Sequence, residues 1–402
     1  MKQIKSIVIF WVLFSIFNVS IGQVEINPSA PKESGRNNKI LTDEDWYHTE
    51  SHKKVVLDKA LKDLILINRF DGVLECYDNS FQKQWTFKPI DTLRLSNGRN
   101  QFYFENGIIY TAYMTGYIYA LDAKDGSIFW ESKVGMDKEV LHLTSQSLMP
   151  SNNKLFLTSR NNQNTYAIDA ISGELIWNYS LQSPHSYLPY LTLNKNVYIS
   201  SDPLINMFDA QTGELLRQVN FNQNFGKLVT NGKFIITSFD QEKKIVALHS
   251  EDLSRVWDFE YKGDYYNVNK KMFVENNSVY IATESNKEYS GIYCLNAEDG
   301  TSVWENTIKG DIAYIENLDN TIYGYTEDKM LFYTSLDNRE LKIIELKHKP
   351  VSNLEKSDGN LYFYSKEGLV RFNLETKNEE VVITFDNNEF TGRLDSQIML
   401  ID

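Results

Sequence analysis

One pattern, A-x-D-x-x-[T/S/D]-G-x-x-x-W, recurs along the chain and constrains its fold more than any other feature. The cleanest copies are Ala120–Trp130 and Ala167–Trp177, and Cys294–Trp304 keeps the turn and the Trp. Met207–Arg217 loses the Trp, Ala247–Trp257 loses the Gly, and Cys76–Trp85 is one residue shorter. The acid position is held in turn by Asp78, Asp122, Asp169, Asp209, His249, Asn296, Asp337 and Asn373, at intervals of 44, 47, 40, 40, 47, 41 and 36 residues. A chain built from units of about forty residues is a solenoid, a propeller or an array.

The unit itself chooses among these. Two runs rich in Ile, Val, Tyr and Phe precede each acid, as in IIYTAY followed by YIYALDA. Such runs, bounded by Gly, Asn and Asp, read as strands. A tight D-x-x-G turn follows, then a strand carrying the Trp, and a less regular strand such as QFYFEN opens the unit. Asp and Asn suit the turn because their side chains bond the backbone two residues on, and Gly supplies positive φ. Four strands per forty residues, with almost no helical periodicity, predict an all-β fold: a β-propeller of eight four-stranded blades. The units are 55–88, 100–135, 141–181, 186–221, 225–261, 265–308, 312–346 and 350–385. Seven blades plus closing strands is the alternative count. The tail QIMLID (397–402) is placed to pair with an N-terminal segment and close the ring.

Trp85, Trp130, Trp177, Trp257 and Trp304 all occupy the same repeat position. An indole buries roughly 150–250 Å², so one per blade is expected as a structural wedge between sheets that diverge toward the rim. Arg217, Ile344 and Val381 take this place in the remaining blades. His249, at an acid position, is expected to hydrogen-bond its own turn. Cys76 and Cys294 stand two residues before the acid, where other blades have Ala120, Ala167 and Ala247. They are expected to be buried small side chains three blades apart, beyond the roughly 7 Å Cα limit for a disulfide, and too few for a zinc cage.

Residues 1–22 have the form of a secretion signal. Lys2 and Lys5 precede the apolar run Ile7–Phe17, which is too short to span a bilayer, and Ser20-Ile21-Gly22 offers small residues for cleavage. The expected organisation is a signal peptide (1–22), a linker (23–54) and a single propeller (55–402), exported to the periplasm or secreted, with no transmembrane segment after cleavage. Removing two Lys takes the net charge from −13 to −15. That sign excludes a nucleic-acid partner, which needs clustered Lys and Arg.

The repeat, over roughly residues 60–385, resembles that of pyrroloquinoline-quinone-type propellers. This resemblance implies either a quinoprotein dehydrogenase or a non-catalytic exported propeller, such as the scaffold lipoprotein of the outer-membrane β-barrel assembly machine. The departures favour the non-catalytic branch. Quinoprotein dehydrogenases carry an adjacent Cys–Cys pair, a Trp beneath the cofactor and a Glu/Asn/Asp set for calcium. Here no two cysteines are neighbours, the repeat Trp are placed as wedges, and C-x-x-C-H is absent. Calcium needs about six to eight converging oxygens, and no D-x-D-x-D run is present. The assembly scaffold's lipidated Cys is also missing from the end of the apolar run.

No G-x-S-x-G nucleophile or glycine-rich phosphate loop is present, and His48 and His52 lie in a stretch without an apolar stripe. The candidate site is therefore a loop face, since propeller loops ring the funnel while the blades stay rigid. The blade-to-blade connections and the loops between the two middle strands share one face. There Arg160, His185, Tyr187, Tyr190, Tyr265 and Tyr266 form the candidate binding set, because Tyr and Arg offer area and hydrogen bonds together. The expected function is a non-enzymatic scaffold that binds a protein partner in the cell envelope, or an extended ligand, without cofactor. The alternatives are a quinone-dependent oxidoreductase holding pyrroloquinoline quinone and calcium in the funnel, and a carbohydrate-binding or carbohydrate-cleaving propeller. The last would need two carboxylates roughly 5–10 Å apart.

Overall fold

The computed structural model describes residues 46–48, 63–68, 73–89, 101–135, 141, 143, 148–159, 164–181, 190–261, 272–283, 288–336, 340–384 and 397–401. Their strands form eight antiparallel sheets of four strands, one of which carries a fifth, and no helix occurs among the described residues. Neighbouring sheets touch through their first strands: Gln101–Glu105 meets Leu148–Ser151, Val229–Thr230 meets Met272–Glu275, and Met272–Glu275 meets Ile312–Leu318. The first strand of each sheet therefore lies innermost and the fourth outermost. This is an eight-bladed propeller, and the seven-blade count is excluded.

The ring closes with both ends of the chain in blade 1. Gln397–Ile401 pairs with Leu64–Asn68 from Leu64↔Ile401 to Asn68↔Gln397, and supplies that blade's innermost strand. Asn353, from the approach to blade 8, holds the seam: its Nδ2 donates to Ile398 O and its Oδ1 accepts from Ile398 N, both at 2.9 Å. One side chain thus imitates a rung of β-ladder across the joint. Within the segment expected as linker, Trp46–His48 pairs antiparallel with the outer strand of blade 2, Trp46 opposite Val134.

Turn chemistry sets the frame. Hairpins between inner and second strands use consecutive positive-φ residues, as at Asn152-Asn153, Asn276-Asn277 and Asp319-Asn320, whose twist matches that of the strands. In the third-to-fourth turns, Asp169 Oδ1 accepts from Ile171 N (2.9 Å) and Ser172 N (2.8 Å), and Asp209 accepts likewise from Gln211 and Thr212. His249 departs from the expected role. Its turn is bonded through backbone, and Asp252 Oδ1 accepts from Ser254 N, while the imidazole packs edge-on to Phe234 at 5.6 Å.

The repeated Ala, Gly and Trp form one interlock. Trp130 stands directly across from Ala120 on the neighbouring strand, and the same pairing joins Trp177 to Ala167, Trp257 to Ala247, Trp85 to Cys76 and Trp304 to Cys294. A small side chain at that place leaves room for the indole. A register shift follows each of these pairs. Four of these five indoles then reach the turn of the next blade. Nε1 of Trp85, Trp130, Trp177 and Trp257 donates to the carbonyls of Ala123, Ala170, Ala210 and Ala297 at 3.0–3.2 Å. A Cβ at Gly126, Gly173, Gly213 or Gly300 would lie 2.5–2.7 Å from the indole of the preceding blade.

Where the preceding blade lacks Trp, the turn lacks Gly, although φ stays positive at Leu253 (58°), Lys377 (63°) and Phe81 (61°). These residues pack into the seam from the other side. Leu253 is buried in the cluster containing Met207, Lys377 lies over the Tyr333 ring at 5.4 Å, and Phe81 packs near Tyr362 at 6.4 Å. In the four indole-to-turn seams the glycine leaves room for the indole above it, whereas the turn after Trp304 has Leu341 at that place. Blade 8 departs from the sequence alignment. Its register shift falls between Leu369 and Val370, so Glu380 pairs with Arg371, and Val381 turns into the core shared with blade 7.

Cys76 and Cys294 are buried free thiols on third strands of blades 1 and 6. Burial, reinforced by Asp78, pushes the Cys76 thiol up to about 12, so the thiolate that reacts is scarce. Native protein is expected to leave both thiols unmodified by a thiol reagent at pH 8, and denatured protein without reductant to yield two. Fewer than two after denaturation would contradict the assignment.

Candidate functional site

Five members of the candidate set, Arg160, His185, Tyr187, Tyr265 and Tyr266, lie outside the described residues. Tyr190 opens the inner strand of blade 4, its backbone opposite Ile199. The best described part of the same face spans blades 4 and 5, where the loop at Asp202-Pro203, the connection 221–228 and the loop 240–243 come together. The connection is pinned by aromatic packing, with Phe221, Phe225 and Phe239 in mutual edge contacts at 5.2–5.6 Å. It is also pinned by charge: Arg255 grips Glu242 with two bonds of 3.0 and 2.6 Å, and Gln223 Nε2 donates to Glu242 at 2.6 Å. The Arg255 bonds hold the Glu242 carboxyl below its ordinary range.

Asp202 sits beneath this connection, 9% exposed, and accepts from Phe225 N at 3.1 Å. Burial pushes its carboxyl up to about 6, with the charge of Asp240 adding to the rise and the Phe225 bond opposing it. A raised carboxylate favours the fold below its unfolded pKa, and that contribution fades as pH climbs through the folded value. Relative to Asp202→Asn, the wild type is therefore expected to lose up to about 3 kcal/mol of stability between pH 4 and pH 8. Urea unfolding of both proteins across that range is the check, and parallel pH profiles would sink the assignment.

Lys227 belongs to the entry into blade 5 and Glu316 to the inner strand of blade 7, with blade 6 between them. Each nonetheless feels the other's charge. Burial dominates both shifts: the Lys227 ammonium is held below its ordinary range and Glu316 is raised to about 7, each effect opposed by the partner's charge. Both side chains keep some solvent contact. Lys227 and Glu316 thus bring an amine held low and a carboxyl raised to about 7 within reach of each other's charge.

None of these three residues was in the candidate set. Asp202 had a local signal in its Asp-Pro turn, but Lys227 and Glu316 are distant in sequence and no spacing relates them. Elsewhere, Nδ1 of His348 lies 2.8 Å from Glu379 Oε2, and that carboxylate also accepts from the Lys347 and His348 backbone. Among the described residues no three His, Cys, Asp or Glu side chains converge to hold a metal ion, and the two cysteines lie on different blades.

Eight four-stranded blades, joined by Trp-to-turn interlocks repeated every forty residues or so, define a pyrroloquinoline-quinone-type repeat propeller. Within that class, the chain belongs to the family of the outer membrane protein assembly factor BamB, whose model matches residues 71–202 and 201–344. BamB from Moraxella catarrhalis is similar with a TM-score of 0.59 at 17% identity, covering 81% of this chain and 98% of that one. The dihydro-heme d1 dehydrogenase NirN, solved in complex with DHE, has a TM-score of 0.64 at 11% identity, covering 87% and 80%. The quinohemoprotein alcohol dehydrogenase ADHIIG from Pseudomonas putida HK5 has a TM-score of 0.54 at 11% identity, covering 80% and 71%. These likenesses establish the fold alone. No curated protein matches the sequence. Among the described residues no helix is long and apolar enough to cross a membrane.

Proposed function

We propose that this chain is an exported, non-enzymatic scaffold that holds a protein partner of the cell envelope against the propeller, making and breaking no bond. The observation that carries the reading is the match of the BamB family model across residues 71–344. The leader-like residues 1–22 and the acidic balance of the chain support export and a protein partner rather than nucleic acid. The interlocked blades support a role in presentation, because a rigid ring positions its loops without reorganising on binding.

The test is crosslinked affinity capture from the native envelope with mature protein tagged at its C-terminus. A Tyr187→Ala/Tyr266→Ala bait runs beside it, together with a titration of the purified protein with pyrroloquinoline quinone and calcium. A stoichiometric protein partner, lost in the variant, is the expected result. No partner with either bait, or saturable quinone binding, would overturn the scaffold reading.

A further inference from the structure

The seam between blades 8 and 1 differs from the seams closed by indoles in one respect that bears on binding. It holds a pocket of about 270 Å³, open to solvent. Small-molecule sites run to roughly 300–1,000 Å³, so this one matches a single side chain better than a cofactor. Ile65 and Tyr362, 6% and 9% exposed, line its inner end, and Asn79, Ser357 and Asn360 add polar groups to its walls. Phe81 forms one wall, with the Arg371 guanidinium 5.7 Å from its ring centre. Arg371 is neutralised by Glu380 at 2.5 Å, so the exposed carboxylates of Asp63 and Asp358 leave the rim acidic.

The fold itself shows what such a place accepts. In four other seams the carbonyl one residue past the turn's acid binds an indole Nε1. The equivalent residue here, Asn79, lines the pocket, and no described residue donates to its carbonyl. Blade 8 sends no indole to this carbonyl because its outer strand, Glu379–Thr384, contains no Trp. We infer that the pocket is a docking socket for an aromatic side chain flanked by basic residues, presented by the protein partner. The aromatic part follows from the four filled sockets, and the basic flanks from the two rim carboxylates. An aromatic side chain entering such a pocket is the usual form of an interface anchor. This inference rests on the scaffold reading for the source of the side chain.

The experiment titrates full mature protein with the probe acetyl-Lys-(5-fluoro-Trp)-Lys-amide and follows its fluorine resonance. Saturable binding is expected, displaced by the unlabelled Trp peptide and not by acetyl-Lys-Ala-Lys-amide. Leu400→Trp, which fills the pocket from its own wall, should weaken binding at least tenfold. Asp63→Asn/Asp358→Asn keeps residues that tolerate the positive φ found at both sites. It should weaken the Lys-flanked probe about threefold and leave a Gln-flanked probe unchanged, so the inference remains testable if Leu400→Trp fails to fold. No saturable binding, or equal binding by the double Asn variant, would overturn the socket. In envelope capture, a partner retained by a folded Leu400→Trp bait overturns the socket but not the scaffold. Absence of a partner from wild type overturns the scaffold, and with it the partner as source of the side chain.

Discussion

Trp130→Ala is expected to lower the unfolding free energy by about 3–5 kcal/mol, the range for deleting a large buried aromatic side chain. Trp130 is 1% exposed, bonds Ala170 O at 3.1 Å and roofs Gly173 of the next blade. The more discriminating measurement pairs it with Gly173→Ala. A Cβ there meets Cε3 of Trp130 at 2.6 Å and Ser132 Oγ at 2.7 Å, so the single change should cost about 2–4 kcal/mol through strain and displaced packing. In the Trp130→Ala background the indole is gone, and the same change should cost only about 1 kcal/mol, for a side chain at positive φ. Leu253 and Phe81 already adopt that φ in their own turns. Urea unfolding of the four proteins gives the cycle. A coupling below 0.5 kcal/mol, the ordinary error of additivity, would mean that Gly173 serves its own turn and not the blade before it.

That coupling also marks how far the sequence could be read. Repeat length, strand pattern and turn residues pointed to eight blades, because each is a local property repeated many times. The small residue opposite each Trp was visible too, since Ala120 and Trp130 lie in one motif. The partnership of Trp130 with Gly173 was harder to see, because the two belong to different copies. It is written in the exceptions: Arg217 is followed one repeat later by Leu253, and Val381 by Phe81 around the ring. Blade 8 shows the limit of counting. Val381 falls on the Trp position by number, yet a register shift moved by one pair turns it to the opposite face. The candidate site was less legible. Lys227 and Glu316 feel each other's charge although blade 6 separates them in sequence, and no spacing could have paired them. The socket exists because of what blade 8 fails to send into the seam.

Ring closure should carry the other large effect. Removing Gln397–Asp402 takes away the inner strand of blade 1, and with it the ladder to Leu64–Asn68. Ile398 and Ile401, 0% and 6% exposed, leave the core between blades 8 and 1 and the core between blades 1 and 2 respectively. The buried backbone of Leu66 and Ile67 would become an unpaired sheet edge, a template for association between chains. In a stack whose units are stable only through their neighbours, losing one unit exposes both flanking interfaces. The truncated chain is therefore expected to lose its single cooperative transition and to associate. Adding the peptide Gln-Ile-Met-Leu-Ile-Asp in excess should restore both the transition and the monomer. Asn353→Ala tests the same joint more gently: Ile398 keeps its strand partner but loses the side-chain rung, at a cost of about 1–3 kcal/mol. If the truncated chain instead unfolds within 1 kcal/mol of wild type and stays monomeric, the C-terminal strand does not hold the ring shut. The seam between blades 8 and 1 would then be a free end, not a closure.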